Sequence, residues 1–254
     1  MFRKTLMTFA VASIFAASAF AQTADELIEK NIQARGGREK MQAIKSLRMT
    51  GKILVGPGIE APFVRETARP NKIRMEFTIQ GMTAVQTYDG TDAWALMPFL
   101  GKKEPEAMSA DELKDVQDQA DIDGPLVDYK TKGHTVELIG KEEIEGTPAY
   151  KLKVTKKNGD IDFTYLDAES FLEIKGNSKR TMRGQEVEIE TSIGDYKEVD
   201  GVLFPYSIQQ KAKGAQGGGN FEITIEKIES NPTFSADRFA KPASMPAPAA
   251  PQPK

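Results

Sequence analysis

Apolar and polar positions alternate with a period of two along most of the chain, the pattern of strands that bury one face. The segment 72–79 shows this most clearly, because Ile73, Met75, Phe77 and Ile79 fall on one side of it. Similar segments, several of them separated by hairpin turns, lie at 47–55, 82–88, 93–97, 135–139, 149–155, 161–166, 171–175, 185–196, 202–210 and 220–228. The pattern predicts a mainly β fold with one antiparallel, strongly curved sheet of about 11 to 12 strands.

Helical spacing interrupts the strands near the start and in the middle of the chain. The motif Thr23-x-x-Glu26 is a capping box that precedes an apolar helical pattern. Ser109-x-x-Glu112 repeats the signature and predicts a helix over 109–119, and residues 126–129 predict a further short helix. We expect these helices to pack on a single face of the sheet.

The two ends of the chain differ from the rest. Residues 1–21 combine Arg3 and Lys4 with a short apolar run and the small-x-small site Ala19-Phe20-Ala21, which predicts a cleaved export signal. The apolar run is shorter than the roughly 20 residues that cross a bilayer. We expect one domain over 22–242 and a disordered Pro/Ala-rich tail over 243–254. The predicted location is the periplasm.

Composition narrows the chemistry further. The chain contains no cysteine, which excludes disulfides, thiol nucleophiles and Cys-ligated metals. Without the signal, 32 basic and 37 acidic residues leave a net charge of −5, which argues against a nucleic-acid partner. His134 is the only histidine, and no Gly-x-Ser-x-Gly elbow accompanies it. The aspartates at 115, 118, 121 and 123 lack the spacing of a calcium loop. We therefore expect no catalytic residue, no metal and no cofactor, with a hydrolase built on a carboxylate pair as the open alternative.

Long, flexible apolar side chains are concentrated in the first half of the predicted sheet. They include Met49, Met75, Phe77, Met82, Leu96 and Met97, with Trp94 close by. Such a set is typical of an ordinary core, and it also suits an adaptable cavity that repacks around apolar guests. Both interpretations remain open at this point.

One block of the sequence resembles a known family. Arg69-Pro70-Asn71, the strand 73–79 and the motif Tyr88-Asp89-Gly90-x-x-x-Trp94-x-x-x-Pro98-Phe99 are similar to the signature of periplasmic outer-membrane lipoprotein-sorting proteins, the LolA/LolB-like carriers. The resemblance implies a half-barrel whose concave apolar face is covered by helices, with lid helices at about 109–130. One departure is Ile73, where the classical carrier has an aromatic residue.

The same resemblance implies a site and a function. It makes Arg69 a latch that hydrogen-bonds lid-helix backbone, and it suggests a lipid-binding cavity lined by Met49, Ile73, Met75, Phe77, Ile79, Met82, Trp94, Leu96 and Phe99. The expected function is that of a soluble, monomeric periplasmic carrier that binds the acyl chains of lipoproteins or lipids and delivers them to the outer membrane. Its expected partners are an inner-membrane donor and an outer-membrane acceptor. The alternative is a sensor with the same fold that regulates a membrane partner.

Overall fold

The computed structural model describes residues 22–55, 58–182, 185–213 and 220–244. The predicted signal peptide and residues 245–254 of the predicted tail lie outside these ranges. The described helices are α1 (Ala24–Ala34), α2 (Arg38–Ala43) and α3 (Ala110–Ala120), with a short 3₁₀ turn at Pro98–Leu100. The described strands are β1 (Ser46–Val55), β2 (Glu60–Ala68), β3 (Lys72–Ile79), β4 (Met82–Tyr88), β5 (Ala93–Met97), β6 (Lys102–Ala107), β7 (Thr135–Ile144), β8 (Thr147–Thr155), β9 (Ile161–Asp167), β10 (Glu173–Met182), β11 (Gln185–Val199), β12 (Val202–Lys213) and β13 (Phe221–Ser230).

These strands form a single 13-stranded antiparallel sheet in the order β6-β5-β4-β3-β2-β1-β13-β12-β11-β10-β9-β8-β7. The mainly β, antiparallel half-barrel predicted from the sequence is confirmed. Strands β6 and β7 are consecutive in the chain but lie at opposite edges of the sheet. The segment between them must therefore cross from one edge to the other, and it carries α3 across the concave face.

Two strands, β2 and β6, were not predicted from the alternating pattern. Strand β2 contains Pro62, and β6 has the sequence KKEPEA with Pro105 inside it. Proline and successive charges remove the apolar period that marks a strand. In β6 they also suit its position, because lysine and proline on an edge strand discourage pairing with another chain.

The first two helices pack on the concave face near the middle of the sheet. The predicted capping box is present, with the Thr23 hydroxyl accepting from the Glu26 backbone N–H and the Glu26 carboxylate accepting from the Thr23 N–H. Gly36 ends α1 with a φ of 119°, and a Cβ there would lie 2.0 Å from the Gly201 carbonyl oxygen. The main core contains residues of α1, α2 and five strands, among them Leu27, Ile32, Leu47, Leu152, Leu166, Val202 and Ile225.

The predicted second lid helix is not present. Residues 122–133 form a series of turns between α3 and β7. Gly124 and Asp128 have φ values of 78° and 52°, which no right-handed helix accommodates. Leu126 and Val127 are nevertheless buried in the main core, so the apolar residues that suggested a helix anchor a loop instead.

The C-terminal segment 231–244 crosses the outer face of the sheet. Phe239 is buried, and its carbonyl oxygen accepts a hydrogen bond of 2.7 Å from the buried hydroxyl of Thr87 on β4. Arg238 pairs with Glu66, which is 1% exposed, and its Nη2 lies 3.1 Å from Glu76. Arg238 and Phe239 therefore lie against the outer face of β2, β3 and β4.

Candidate functional site

The concave face of β1 to β5, called here the apolar wing, is defined by strand register. Residues that face each other across antiparallel strands lie on the same side of the sheet. Met75 on β3 pairs with Arg65 on β2, and Arg65 pairs with Met49 on β1. Ile79 pairs with Met82 across the β3–β4 turn. The structure therefore brings Met49, Ile73, Met75, Phe77, Ile79 and Met82 to one face, as the alternation predicted.

Aromatic side chains extend the apolar wing toward the end of β3 that α3 does not cover. Phe77 pairs with Phe63 on β2 and with Ala84 on β4. The ring of Phe99, on the turn after β5, lies 5.6 Å from the ring of Phe77. Phe99, itself a predicted cavity residue, therefore lies beside Phe77. Phe63 also belongs to this surface but lies on the strand that the sequence pattern missed.

Trp94 and Leu96 do not lie on the apolar wing. Leu96 pairs with Val85, and Val85 pairs with Glu76, whose side chain points away from Met75 and Phe77. Leu96 is 4% exposed, and the ammonium of Lys241 from the C-terminal segment lies 4.2 Å from the centre of the Trp94 ring. Their prediction as cavity residues is therefore corrected, because the β4–β5 turn sets the phase of β5 opposite to the one assumed.

Helix α3 covers the near end of the apolar wing. Ser109 and Glu112 form the predicted capping box, which fixes where the helix begins. Val116 and Ala120 are buried against Ile73, Tyr88 and Ala93, and Leu113 and Met75 pack around this cluster. The packing of these side chains is apolar and non-directional, and one hydrogen bond accompanies it, from the Gln117 amide to the Tyr88 hydroxyl at 3.2 Å.

The other side of α3 faces a charged cluster on β8 to β10, called here the ionic wing. Its central pair is Arg180 of β10 and Asp162 of β9, whose Nη1 and Oδ1 atoms lie 2.8 Å apart. Lys156, just after β8, lies 2.5 Å from both Asp162 and Asp118 of α3. Arg180 Nε also lies 3.1 Å from Asp115 of α3. The lid helix is thus held by ion pairs on one side and apolar packing on the other.

In the ionic wing, burial and ion pairing shift the pKa values of the side chains in opposite directions. Burial raises the pKa of Asp162, but the hydrogen bond from Arg180 and the charges of Lys156 and Arg180 outweigh it and hold that pKa below its ordinary value. For Asp115, burial prevails over the attraction of Arg180 and its pKa is raised. The pKa of Arg180 is raised, because its three carboxylate neighbours outweigh its own burial.

Glu173, at the start of β10, lies on the same face. It pairs with Leu166, which is fully buried in the main core. Burial raises the pKa of Glu173 to about 7, against an attraction from Arg35 that lowers it. Glu173 therefore changes charge near neutral pH, which no sequence pattern indicated.

The predicted latch, Arg69, holds the helical cover at a different place from the one expected. Its guanidinium donates two hydrogen bonds of 2.6 Å to the carboxylate of Asp123, just beyond α3, and others to the carbonyl oxygens of Met41 and Ile44 near the end of α2. The carbonyl of Gln119, in the last turn of α3, accepts instead from Arg65, at 2.6 Å. Sequence reasoning missed Arg65 because Pro62 concealed β2, the strand that carries it.

Catalytic and metal-binding groups are sparse in the described ranges. His134 Nδ1 accepts a hydrogen bond of 3.1 Å from the Lys157 backbone N–H, and burial lowers the pKa of its ring. Within residues 22–55, 58–182, 185–213 and 220–244, no group of three or more His, Cys, Asp or Glu side chains could hold a metal. The same ranges contain no helix with the length and apolar character of a membrane span.

Solved structures share this architecture. A LolA superfamily protein from Nitrosomonas europaea superimposes with a TM-score of 0.58 at 14% identity, covering 87% of this chain and 99% of that one. An outer membrane lipoprotein-sorting protein domain from Vibrio parahaemolyticus gives a TM-score of 0.57 at 12% identity, covering 85% of this chain and 97% of that one. A DUF1329 family protein from Desulfovibrio piger gives 0.58 at 11%, covering 85% and 96%. No protein-family model matches the sequence, and no curated protein matches it either. The structure thus has the LolA-like fold, which confirms the resemblance at the level of the fold.

Proposed function

We propose that this protein is a periplasmic carrier that binds the acyl chains of a lipoprotein or lipid on the apolar wing and helps to deliver them to the outer membrane. The observation that supports the proposal most is the composition of this face. Four inward positions of β3 are apolar, and the methionines and phenylalanines around them can repack around a flexible chain. Each methylene removed from water contributes about 0.8 kcal/mol, so an acyl chain needs such a shield in transit.

The position of α3 supports a lid role in this proposal. Val116 and Ala120 contact Ile73 by apolar packing, which an acyl chain can replace. Opening of the lid would also break the hydrogen bonds from Gln117 to Tyr88 and from Arg65 to the Gln119 carbonyl, so these two bonds favour the closed state. Transfer then depends on relative affinities of donor, carrier and acceptor, with a monomeric carrier passing cargo from an inner-membrane donor to an outer-membrane acceptor.

A carboxylate hydrolase receives less support from the geometry. Asp162 is the central acid of the ionic wing, and it is held by both Arg180 and Lys156. A carboxylate bound in this way is a weak base and a poor nucleophile, because its pKa is lowered and its lone pairs accept hydrogen bonds. The pairs instead connect α3 to the sheet.

Binding of a hydrophobic fluorescent dye to the delipidated protein tests the proposal. We expect saturable binding that a fatty acid displaces. Phe77→Asp should weaken binding strongly, because a carboxylate on the apolar wing has a large desolvation cost. Thr78→Asp is the matched control, since Thr78 is the next residue of β3 and its hydroxyl bonds Thr83 on the other face. Equal loss in both variants, or no saturable binding by the wild type, would contradict the proposal.

A further inference from the structure

The apolar wing contains one cationic side chain in its central row. Across the strands this row runs Ile228, Met49, Arg65, Met75 and Gln86. Arg65 is therefore flanked on both neighbouring strands by methionine. Along its own strand the inward neighbour toward the open end is Phe63, which is 5% exposed. A guanidinium in such surroundings has lost much of its hydration.

The hydrogen bonds of this guanidinium are incomplete. One Nη donates to the Gln119 carbonyl, but Nε is buried and has no partner among the described residues. No carboxylate within the described ranges lies within ion-pair distance of Arg65, whereas Arg69, Arg74 and Arg180 each have one. Burial lowers the pKa of Arg65 to about 10, so it still carries its charge at neutral pH. The site therefore holds a half-buried positive charge with one buried N–H donor that has no partner, and no counter-charge, among the described residues.

We propose that Arg65 binds the anionic head group of the cargo, a carboxylate or phosphate oxygen attached to an acyl chain. This inference rests on the proposed function and adds to it the chemical class of the ligand. Gln86, two strands away in the same row, places an amide on the same side of the head group.

The position of Arg65 also sets the direction in which the acyl chain of the cargo lies on the apolar wing. Beyond Arg65 the inward positions of β2 are the apolar residues Phe63 and Ala61, and Ala61 lies four residues, about 13 Å at the rise of a strand, from Arg65. The acyl chain of the cargo therefore runs from Arg65 past Phe63 and Phe77 toward the end of β3 that α3 leaves uncovered. The head group lies at the last turn of α3, where it competes with the Gln119 carbonyl for the same guanidinium.

Matched ligands with one chain length test this inference. Affinities of the delipidated full chain for decanoate, decyl phosphate and decanol would be measured by dye displacement. We expect the two anions to bind about ten- to hundredfold more tightly than the alcohol, the range of a charge-assisted hydrogen bond to a desolvated arginine. Arg65→Met should abolish this preference, Arg65→Lys should retain part of it, and Lys52→Met, which removes an exposed charge on the other face of β1, should leave it unchanged.

The comparison of ligands separates this inference from the proposed function. Arg65→Met also removes the hydrogen bond to Gln119, which alters binding of all three ligands, whereas the difference between anion and alcohol reports only the head group. Equal binding of anions and alcohol by the wild type, or a preference that survives Arg65→Met, would overturn the head-group site and leave the carrier proposal standing. If only decyl phosphate, and not decanoate, binds the wild type more tightly than decanol, the head group is a phosphate. Failure of all three ligands to bind would contradict the proposed function itself.

Discussion

The two wings of the concave face use opposite chemistry to contact the same helix. On the apolar wing, α3 rests on Ile73 and Tyr88 through Val116 and Ala120. On the ionic wing, its Asp115 and Asp118 pair with Arg180 and Lys156. Apolar contacts have no preferred direction and exchange readily for other apolar groups, whereas ion pairs fix a geometry and weaken in salt. The difference indicates a helix that is fixed along one side and replaceable along the other.

Removing Arg180 should have the largest effect on this arrangement. Arg180 is 13% exposed in its side chain and pairs with Asp162, Asp115 and Asp118. Arg180→Met would leave the largely buried carboxylate of Asp162 with one cation, Lys156, and we expect a loss of about 3 kcal/mol of unfolding free energy in urea. Lys179→Met, on the adjacent residue with an exposed partner, is the control and should change little. Equal effects of the two variants would remove the distinction between the ionic wing and ordinary surface pairs.

The ionic wing should also make stability depend on pH. Glu173 has an ordinary pKa of 4.5 and a folded pKa of about 7, so the folded state holds its proton more tightly. Its contribution is complete below the ordinary value and is lost as pH rises through the folded one, a decrease of about 2 kcal/mol after allowance for residual solvent contact. Glu173→Gln should flatten this part of the stability profile, and Glu186→Gln, an exposed control, should not. A wild-type profile without this decrease would show that folding does not raise the pKa of Glu173.

In acid, the free energy of unfolding should instead decrease as the pH falls. The pKa of Asp162 is held below its ordinary 3.8, so its contribution is present above that value and is lost as pH falls through the lower folded one. Arg180→Met should remove this decrease, since the hydrogen bond from Arg180 contributes most to lowering the pKa of Asp162 against the effect of burial. Urea denaturation at a series of acidic pH values measures both variants, and an unchanged decrease in Arg180→Met would contradict the assignment.

Loosening α3 on the ionic side alone should have a smaller effect. Asp118→Asn weakens the contact with Lys156, and we expect the amides of α3 to exchange about five- to tenfold faster, the change that about 1 kcal/mol produces. Asp111→Asn is the control, because Asp111 pairs only with Lys114 of the same helix among the described residues. About 1 M salt, where the Debye length falls to about 3 Å, should shift the wild type in the same direction. If exchange in α3 responds to neither change, the apolar contact alone holds the helix.

Much of the apolar wing could be predicted from the sequence, and little of the ionic wing could. The alternation in β3 fixes which residues share a face, and the capping box at Ser109 fixes the start of α3. The phase between strands is set by turns, so Leu96 was assigned to the wrong face, and Pro62 concealed β2 together with Phe63 and Arg65.

The ionic wing depends on contacts between residues far apart in the chain. Lys156 lies 38 positions from Asp118 but touches it because α3 crosses from one sheet edge toward the other. The same is true of the C-terminal segment, whose Phe239 contacts Thr87 across 152 positions. Periodicity describes each strand separately and contains no information on such pairs.

The central claim is that cargo occupies the apolar wing and not the ionic one. The most direct measurement is photocrosslinking with a fatty acid that carries a diazirine at the end of its chain, followed by mapping of the labelled peptides by mass spectrometry. We predict labels on β3, β4 and the turn at Pro98–Leu100, which unlabelled fatty acid suppresses and Phe77→Asp reduces. Labels on β9 and β10, or on the outer face around Trp94 and Leu96, would contradict the account.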